Sequence, residues 1–424
     1  MTLLVGGRLA DGRRADVRVD PVGGTVAEVG PELLPALGEE ELDCTGMVVL
    51  GAPAEPHAHL DKAGTWDLAP NPAGDLMSAV RTWATGLAHR SADEILETAW
   101  PVLEDLVLHG TTAVRTHVNL NATTGWAPLE ALVALREDAA RQGLADVQVV
   151  AMPSMPMTGA AGEEHRRILT EAVAHGADLL GGALHVDPDP DGATALVLDV
   201  ADREGVGVDL HTDETLDPGA IGLVHLCRQV LERGWTPGRA TASHCVSLGV
   251  QPEAQQAETA ALVAEAGVSV VALPQTNLYL QGRDLASGVP RGLTAIRALL
   301  SAGADVAAGG DNVRDAFNAV GRADALETAA LLVMAGHLTP VEAWHAVGAA
   351  ARAALGLPPA GPEVGLRADL LCVEGADLTS AIARASEGRT VLRAGRVVGR
   401  SVVRRSLLPR SVDRSVVEPA SGSD

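Results

Sequence analysis

The chain has 424 residues, a formal net charge of −23 and 47% hydrophobic residues. Its length exceeds the usual size of one domain, and its apolar fraction is ample for a core, so the composition excludes an intrinsically disordered protein. The negative charge would repel phosphates and argues against a nucleic-acid partner.

Hydropathy and cysteine usage indicate the cellular compartment in which the protein is expected. No apolar run reaches the length that crosses a bilayer, and the first residues lack the apolar stretch of a secretory signal. The four cysteines are widely scattered, without a C-x-x-C pair, which is typical of reduced thiols. We therefore expect a cytoplasmic protein without membrane contact. Whether the protein forms a homo-oligomer is left open by the sequence.

Both ends of the chain contain short alternating segments broken by glycine and proline. Strands are predicted at 15–20, 24–29 and 47–50, then at 368–373 and 390–400, with a hairpin turn at Ala394-Gly395. Neither piece can bury a core alone. We predict that residues 1–52 and 360–405 form one small β-sandwich domain, and that 406–424 form a flexible tail.

Residues 53–359 repeat one plan, in which a helical pattern ends at a glycine and a short β-branched run follows. Glycine suits the end of a helix because it adopts the left-handed conformation without a steric penalty. The repeat predicts eight strands, at 53–59, 112–118, 147–153, 179–186, 206–211, 240–245, 268–274 and 305–311.

Two of the intervening helices carry an N-terminal capping box. Ser91-Ala-Asp-Glu94 begins one helix, and Thr339-Pro-Val-Glu342 begins another that we expect to end at Gly356. Eight strand–helix units predict an α/β fold, a (β/α)8 TIM barrel flanked by the small β-sandwich domain. An open doubly wound sheet shares the alternation, but only a closed barrel gathers strands 1, 5, 6 and 8 around one point.

The motif His57-Ala-His59 ends the first predicted strand. Residues i and i+2 of a strand point to the same side, so both imidazoles can bind one ion. Imidazole is a common ligand of zinc and iron, although a His-x-His pair alone is a weak signal. Lys62, the only lysine in the sequence, follows closely; a coding bias explains its rarity but not its position.

Polar residues also end the other predicted strands, where the chemistry of a barrel is located. They are His117, His185, His211, His244 and Asp311. His57, His59, His211 and Asp311 would supply three nitrogens and one carboxylate oxygen to a metal. Glu214 lies just past strand 5, where it is either a functional acid or a solvated loop residue. His244 is either functional or a packing histidine, and His117 and His185 stay open.

The chain resembles the amidohydrolase superfamily, and within it the cytosine deaminase branch. The matching segments occur in order over most of the chain: Glu55-Pro-His-Ala-His-Leu-Asp61, Val114-Arg-Thr-His-Val118, Val150-Ala-Met-Pro153, His211-Thr-Asp-Glu214, Thr241-Ala-Ser-His244, Leu280-Gln-Gly-Arg283, Arg291-Gly292 and Gly310-Asp-Asn-Val313 with Asp315.

The resemblance implies one divalent metal ion, zinc or iron, held by His57, His59, His211 and Asp311. It also implies catalytic roles: Asp311 accepts a proton from the water that the metal activates, His244 orients that water, and Glu214 protonates a ring nitrogen. Relatives with two metals use a carboxylated lysine ending strand 4, which this chain lacks.

The resemblance is looser at the substrate. Ser154 replaces the glutamine with which cytosine deaminase binds the pyrimidine edge, and Asn312 replaces an aspartate, so cytosine itself is in doubt. Phe317, the only phenylalanine, falls where the family places an aromatic ring against the substrate. By the same resemblance His117 and Gln281 are candidate substrate-binding residues, and Arg283 is either a pocket residue or pins a loop.

The leading hypothesis is a metal-dependent deaminase that hydrolyses a C–N bond of an amino-substituted nitrogen heterocycle, a small-molecule substrate. An amidohydrolase that cleaves a cyclic or linear amide is the alternative, and its product would be a carboxylate without ammonia. A metal-binding protein without turnover is the third hypothesis, and it gives Glu214 no role.

Overall fold

The computed structural model describes residues 1–407, so nearly all of the tail predicted at 406–424 lies outside the described residues. The chain begins with five strands: β1 (Thr2–Val5), β2 (Asp16–Asp20), β3 (Thr25–Gly30), β4 (Glu40–Asp43) and β5 (Met47–Gly51). The predictions at 15–20, 24–29 and 47–50 are confirmed. β1 and β4 were not predicted.

Eight parallel strands follow, one for each predicted strand: β6 (Ala54–Ala58), β7 (Ala113–Leu120), β8 (Asp146–Pro153), β9 (Leu179–Gly182), β10 (Gly207–Thr212), β11 (Ala240–His244), β12 (Ser269–Ala272) and β13 (Val306–Ala308). They pair strictly in chain order, and a parallel bridge between Ala58 and Asp311 joins the last strand to the first. An open doubly wound sheet would reverse its order at a switch point. The sheet is therefore a barrel, as predicted.

Thirteen α-helices lie in the described part of the chain. They are α1 (Leu76–Gly86), α2 (Ala92–Leu108), α3 (Ala127–Gln142), α4 (Glu163–Glu171), α5 (Pro190–Glu204), α6 (Gly222–Arg233), α7 (Glu253–Ala266), α8 (Pro274–Leu280), α9 (Ile296–Ser301), α10 (Ala325–Met334), α11 (Pro340–Val347), α12 (Ala349–Ala354) and α13 (Leu378–Arg384). None of them combines the length and the apolar character needed to cross a bilayer.

The local signals at the helix ends are confirmed with one correction. Both capping boxes form, at Ser91 with Glu94 and at Thr339 with Glu342. The helix expected to run from Thr339 to Gly356 is instead two helices, because the backbone at Gly348 has φ −104° and ψ −99° and interrupts the hydrogen bonds between α11 and α12.

Strands from both ends of the chain form two further four-stranded sheets. The order of one sheet is β3-β2-β1-β4, and that of the other, which adds β14 (Leu370–Glu374), β15 (Arg389–Arg393) and β16 (Arg396–Ser401), is β16-β15-β14-β5. Side chains from both sheets share one buried apolar cluster, as a sandwich requires. The domain limits 1–52 and 360–405 stay a prediction.

The sheet containing β14 is buried on both faces. Leu370 and Cys372 face the sandwich core, whereas Leu371 and Val373 alternate with them and pack into the core of the barrel. The small domain is thus fixed to the barrel by shared apolar packing.

A buried ion pair adds to this attachment. Arg389 on β15 donates to both carboxylate oxygens of Asp324, at 2.9 and 2.7 Å, and neither side chain is exposed to solvent. Arg389 also donates to the backbone oxygens of His109 and Ser386. Because both side chains of the pair are withdrawn from water, removing the arginine would leave the buried carboxylate without a counter-charge.

We therefore expect Arg389→Met to lower the free energy of unfolding by about 3–5 kcal/mol, measured by urea denaturation. The matched control is Arg322→Met, because Arg322 pairs with Glu387 at 3.1 Å with both side chains about half exposed. Exposed pairs contribute about 0–1 kcal/mol. Equal losses in the two variants would contradict the importance of the buried pair.

Candidate functional site

Three imidazoles and one carboxylate converge at the carboxyl ends of the barrel strands. The Nε2 atom of His211 lies 3.2 Å from Nε2 of His57 and 3.1 Å from Nε2 of His59. The Asp311 Oδ1 atom lies 3.7 Å from Nε2 of His57 and 3.5 Å from Nε2 of His59. We refer to these four side chains as the histidine–aspartate cluster.

The geometry of the histidine–aspartate cluster fits a divalent cation. Ligand atoms of a tetrahedral zinc ion lie about 3.4 Å apart, since its bonds to nitrogen are about 2.1 Å long. Burial lowers the pKa of all three imidazoles well below the ordinary value, which keeps each ring neutral with one nitrogen free to bind a metal. Both oxygens of Asp311 are buried without a hydrogen-bond partner in the described residues. A bound cation would satisfy these atoms.

A buried relay orients His57. Its Nδ1 atom lies 2.9 Å from the hydroxyl of Ser243, and that hydroxyl donates to Oδ1 of Asp209 at 2.8 Å. Arg115 donates to the other oxygen of Asp209 at 2.9 Å. Burial favours the neutral acid, but His117 and Arg115 lower the pKa of Asp209 below its ordinary value. The carboxylate therefore holds Ser243, which accepts the Nδ1 proton of His57 and leaves Nε2 free for a metal.

Backbone conformation places two further side chains. His244 and Asp311 have φ values of 69° and 65°, in the left-handed region that non-glycine residues rarely adopt. Glu55 supports the second of these turns, because its carboxylate accepts from the backbone nitrogens of Gly310 and His57 at 2.8 and 3.2 Å. One side chain thus links the first and last strands beside the cluster.

Glu214 and His244 face each other beside the cluster. Burial raises the pKa of Glu214 to about 8 and lowers the pKa of His244 to about 3. The His244 Nδ1 atom lies 3.1 Å from Oδ1 of Asn277 and 3.6 Å from Oε1 of Glu214, whereas its Nε2 is buried without a partner in the described residues. The pair therefore offers a protonated acid next to an imidazole acceptor.

A cavity of about 370 Å³ lies over the cluster, in the size range of small-molecule sites. Its floor contains His59, His211, Glu214, His244 and Asp311. Helix α1 covers one side with Leu76, Met77, Val80, Trp83 and Ala84. The ends of β7 and β8 supply another wall: Asn119, Asn121, Met152, Pro153, Ser154 and Met155. Sequence reasoning missed α1, although Asp75 caps it by accepting from the backbone nitrogen of Ser78.

The predicted substrate-binding residues separate into two groups. Ser154, Asn312 and Phe317 line the cavity, as do Lys62 and His185. Gln281 does not; its Nε2 lies 3.5 Å from the backbone oxygen of Glu214.

His117 is also outside the lining. It is fully buried behind the cluster, where its ring stacks on that of His57 with centroids 3.9 Å apart. Arg283 packs over the ring of Tyr279 and donates to its backbone oxygen, so it pins a loop outside the cavity. The roles predicted for His117 and Gln281 in substrate binding stay predictions.

The chain was compared with known proteins. Residues 102–399 match the model of the amidohydrolase family. A pterin deaminase of Rhizobium rhizogenes is 35% identical over 355 residues, which cover 82% of this chain and 80% of that protein.

Solved structures are similar over nearly the whole length. That of the 5-methylcytosine deaminase from Klebsiella pneumoniae has a TM-score of 0.86 at 25% identity, covering 96% of this chain and 99% of that one. That of the N-isopropylammelide isopropylaminohydrolase from Burkholderia multivorans has a TM-score of 0.80 at 28% identity, covering 94% and 98%.

The relay behind His57 predicts a measurable loss of metal affinity. Ser243→Ala removes the acceptor that fixes the His57 ring, and we expect zinc affinity to fall about 10- to 100-fold in chelator competition. Ser247→Ala is the matched control, because Ser247 is equally buried but donates to the backbone oxygen of Ala220. Unchanged affinity in Ser243→Ala would show that the relay does not position the ligand.

Proposed function

The chain belongs to the amidohydrolase family, and we propose that it is a metal-dependent deaminase that removes the amino group of a nitrogen heterocycle. The observation that carries the proposal is the histidine–aspartate cluster on the floor of a cavity that also contains Glu214 and His244. A metal site that only stabilised the fold would need neither a cavity nor a buried acid beside it.

We assign one divalent ion, zinc or iron, to His57, His59, His211 and Asp311. When bound, such an ion lowers the pKa of a coordinated water to about 7 and so supplies the nucleophile. We assign a single ion because the resemblance places a carboxylated lysine at the end of β9 in relatives with two metals, whereas Lys62, the only lysine of this chain, lies beside β6.

The protein side chains carry the proton transfers. Asp311 accepts the proton of the attacking water, and the free Nε2 of His244 orients that water. Glu214, protonated at neutral pH, donates to a ring nitrogen and makes the adjacent carbon electrophilic. As the tetrahedral intermediate collapses, its hydroxyl proton returns to Glu214, and the proton that Asp311 took from the water is relayed, with the help of Glu214, to the amino group. The C–N bond then breaks, ammonia leaves and a carbonyl remains.

For the substrate we propose a two-ring amino heterocycle of the pterin class. One support is the pterin deaminase relative. Another is Ser154, which stands where cytosine deaminase has a glutamine and is too short to bind the pyrimidine edge as that glutamine does. Trp83 on α1, Met152 and Met155 also line the cavity and give it apolar walls that suit a second flat ring. An ammonia-release screen over pterins, aminopyrimidines and aminotriazines tests this assignment, and a carboxylate product without ammonia would overturn it.

We expect Glu214→Gln to lower kcat/KM by about 10²–10⁴, because the amide cannot donate and recover a proton. Metal content, measured by atomic emission, should be unchanged, since Glu214 is outside the histidine–aspartate cluster. Glu327→Gln, at a half-buried acid outside the cavity, is the control and should retain activity. Full ammonia release by the Glu214 variant would remove this residue from the mechanism.

The pKa of Glu214 sets a second expectation. Burial raises that pKa to about 8, so the carboxyl group is neutral below this pH and ionises above it. Because the neutral form donates the proton, kcat/KM should be level near neutrality and fall about tenfold per pH unit above pH 8. Two substrates with different ring pKa values should show the same decline. A profile that stays level to pH 10 would contradict the assignment.

A further inference from the structure

The only lysine of the chain is buried in the wall of the cavity. Lys62 is 2% exposed and lines the same space as Glu214 and Asp311. Its Nζ atom lies 3.1 Å from Oδ1 of Asp61 and 2.8 Å from Nδ1 of His59. Burying an ammonium group is costly unless its hydrogen-bond donors are matched, so the partners of its three N–H groups matter.

The Lys62 side chain has fewer hydrogen-bond acceptors around it than N–H groups to donate. Asp61 accepts one N–H, and its other oxygen already accepts from the backbone nitrogen of Asn119 at 3.1 Å. When His59 binds a metal through Nε2, its Nδ1 atom carries the ring proton. The 2.8 Å contact would then set two donors against each other, so the Lys62 ammonium group must direct its N–H groups away from His59. Two N–H groups of the ammonium then have no nitrogen or oxygen acceptor among the described residues. The other neighbour of Nζ is the ring of Phe317, with its centroid 5.6 Å away, and both groups line the cavity, which is the space that can supply an acceptor.

Asn312 presents the complementary atom to the same cavity. Its amide nitrogen donates to Oδ2 of Asp315 at 2.8 Å. Burial raises the pKa of Asp315 only to about 6, so at neutral pH it is an acceptor and fixes the orientation of the amide. The carbonyl oxygen of Asn312 therefore remains for a ligand. Lys62 and Asn312 offer a cationic donor and a neutral acceptor.

Resting on the proposed function, we propose that Lys62 and Asn312 bind a lactam edge of the substrate, Lys62 donating to the ring carbonyl oxygen and Asn312 accepting from the ring N–H. The substrate class is then an amino heterocycle with an –NH–C(=O)– unit. A carboxylate fits this position less well than a carbonyl oxygen, because Asp61 already balances the charge of Lys62 and a second anion would lack a partner.

The first test uses two substrates that differ in the lactam unit: 2-amino-4-oxopteridine, which has the ring carbonyl and the adjacent N–H, and 2-aminopteridine, which has neither. In Lys62→Met we expect kcat/KM for the oxo compound to fall about 10- to 100-fold, as for the loss of one hydrogen bond to a charged group. The value for the compound without oxygen should change less than about threefold. Arg283→Met, which removes a cation outside the cavity, should change neither.

The second test needs neither turnover nor a variant. Because Lys62 is the only lysine, its side chain and the N-terminal amine are the only amino groups that an acylating reagent can modify, and peptide mass spectrometry separates the two sites. In metal-loaded wild-type protein, the dioxopteridine that corresponds to the deaminated substrate should protect Lys62 from acylation. The same compound methylated on the lactam nitrogen, and the pteridine without the lactam oxygen, should protect Lys62 less.

The two proposals fail in different ways. Absence of ammonia release from every heterocycle in the wild-type protein overturns the proposed function, and the acylation test still decides the role of Lys62. If deamination occurs but Lys62→Met lowers kcat/KM equally for both substrates, or all ligands protect alike, the lactam assignment is wrong and the deaminase function stands. Preferential protection of Lys62 by a carboxylated heterocycle would also overturn the lactam assignment.

Discussion

Three uncharged imidazoles and one carboxylate, all withdrawn from water, face a single point, and the rest of the molecule holds them there. Nitrogen atoms 3.1–3.2 Å apart repel one another unless a proton or a cation lies between them. The arrangement is therefore favourable only with a positive centre, and it needs a rigid support. The closed barrel provides that support, because β6, β10 and the end of β13 are distant in sequence but adjacent at one rim.

Much of this could be predicted from the sequence because the signals are local. Each barrel strand after the first follows a glycine that ends a helix, and all seven of those glycines have positive φ. The pair His57 and His59 points to one side by the period of a strand alone. The remaining members of the cluster were located by combining that pattern with the resemblance to a family.

The features that were missed depend on tertiary structure. Helix α1 is inserted between β6 and the helix that completes its unit, so the strand–helix repeat does not predict it. Only the folded structure shows that Trp83 lines the cavity. His117 lies on a strand that ends at the rim, yet its ring is one layer below the cavity floor. The interruption at Gly348 was hidden because capping signals define where a helix begins more clearly than where it breaks.

The proposed catalytic residues and most of the outer cavity lining come from different parts of this architecture. The strands and the turns directly after them carry the histidine–aspartate cluster, Glu214 and His244, to which we assign the chemistry of deamination. Residues of α1 and of the segments after β7 and β8 line the outer part of the cavity, where a second ring would bind. Loop and insertion residues can change without disturbing the barrel. Ser154, at which this chain departs from the cytosine deaminase pattern, lies in that outer part, directly after β8.

The pairing of β5 with β14 has a consequence for how the polypeptide is made. Cys44 and Cys372, whose sulfur atoms lie 3.7 Å apart in the sandwich core, are separated by 328 positions. Strand β5 therefore leaves the ribosome long before β14 is translated. Its apolar side chains stay unpaired with that strand during translation of the entire barrel. Completion of the sandwich is a late event, and a nascent chain that stalled earlier would expose those strands to aggregation or to chaperones.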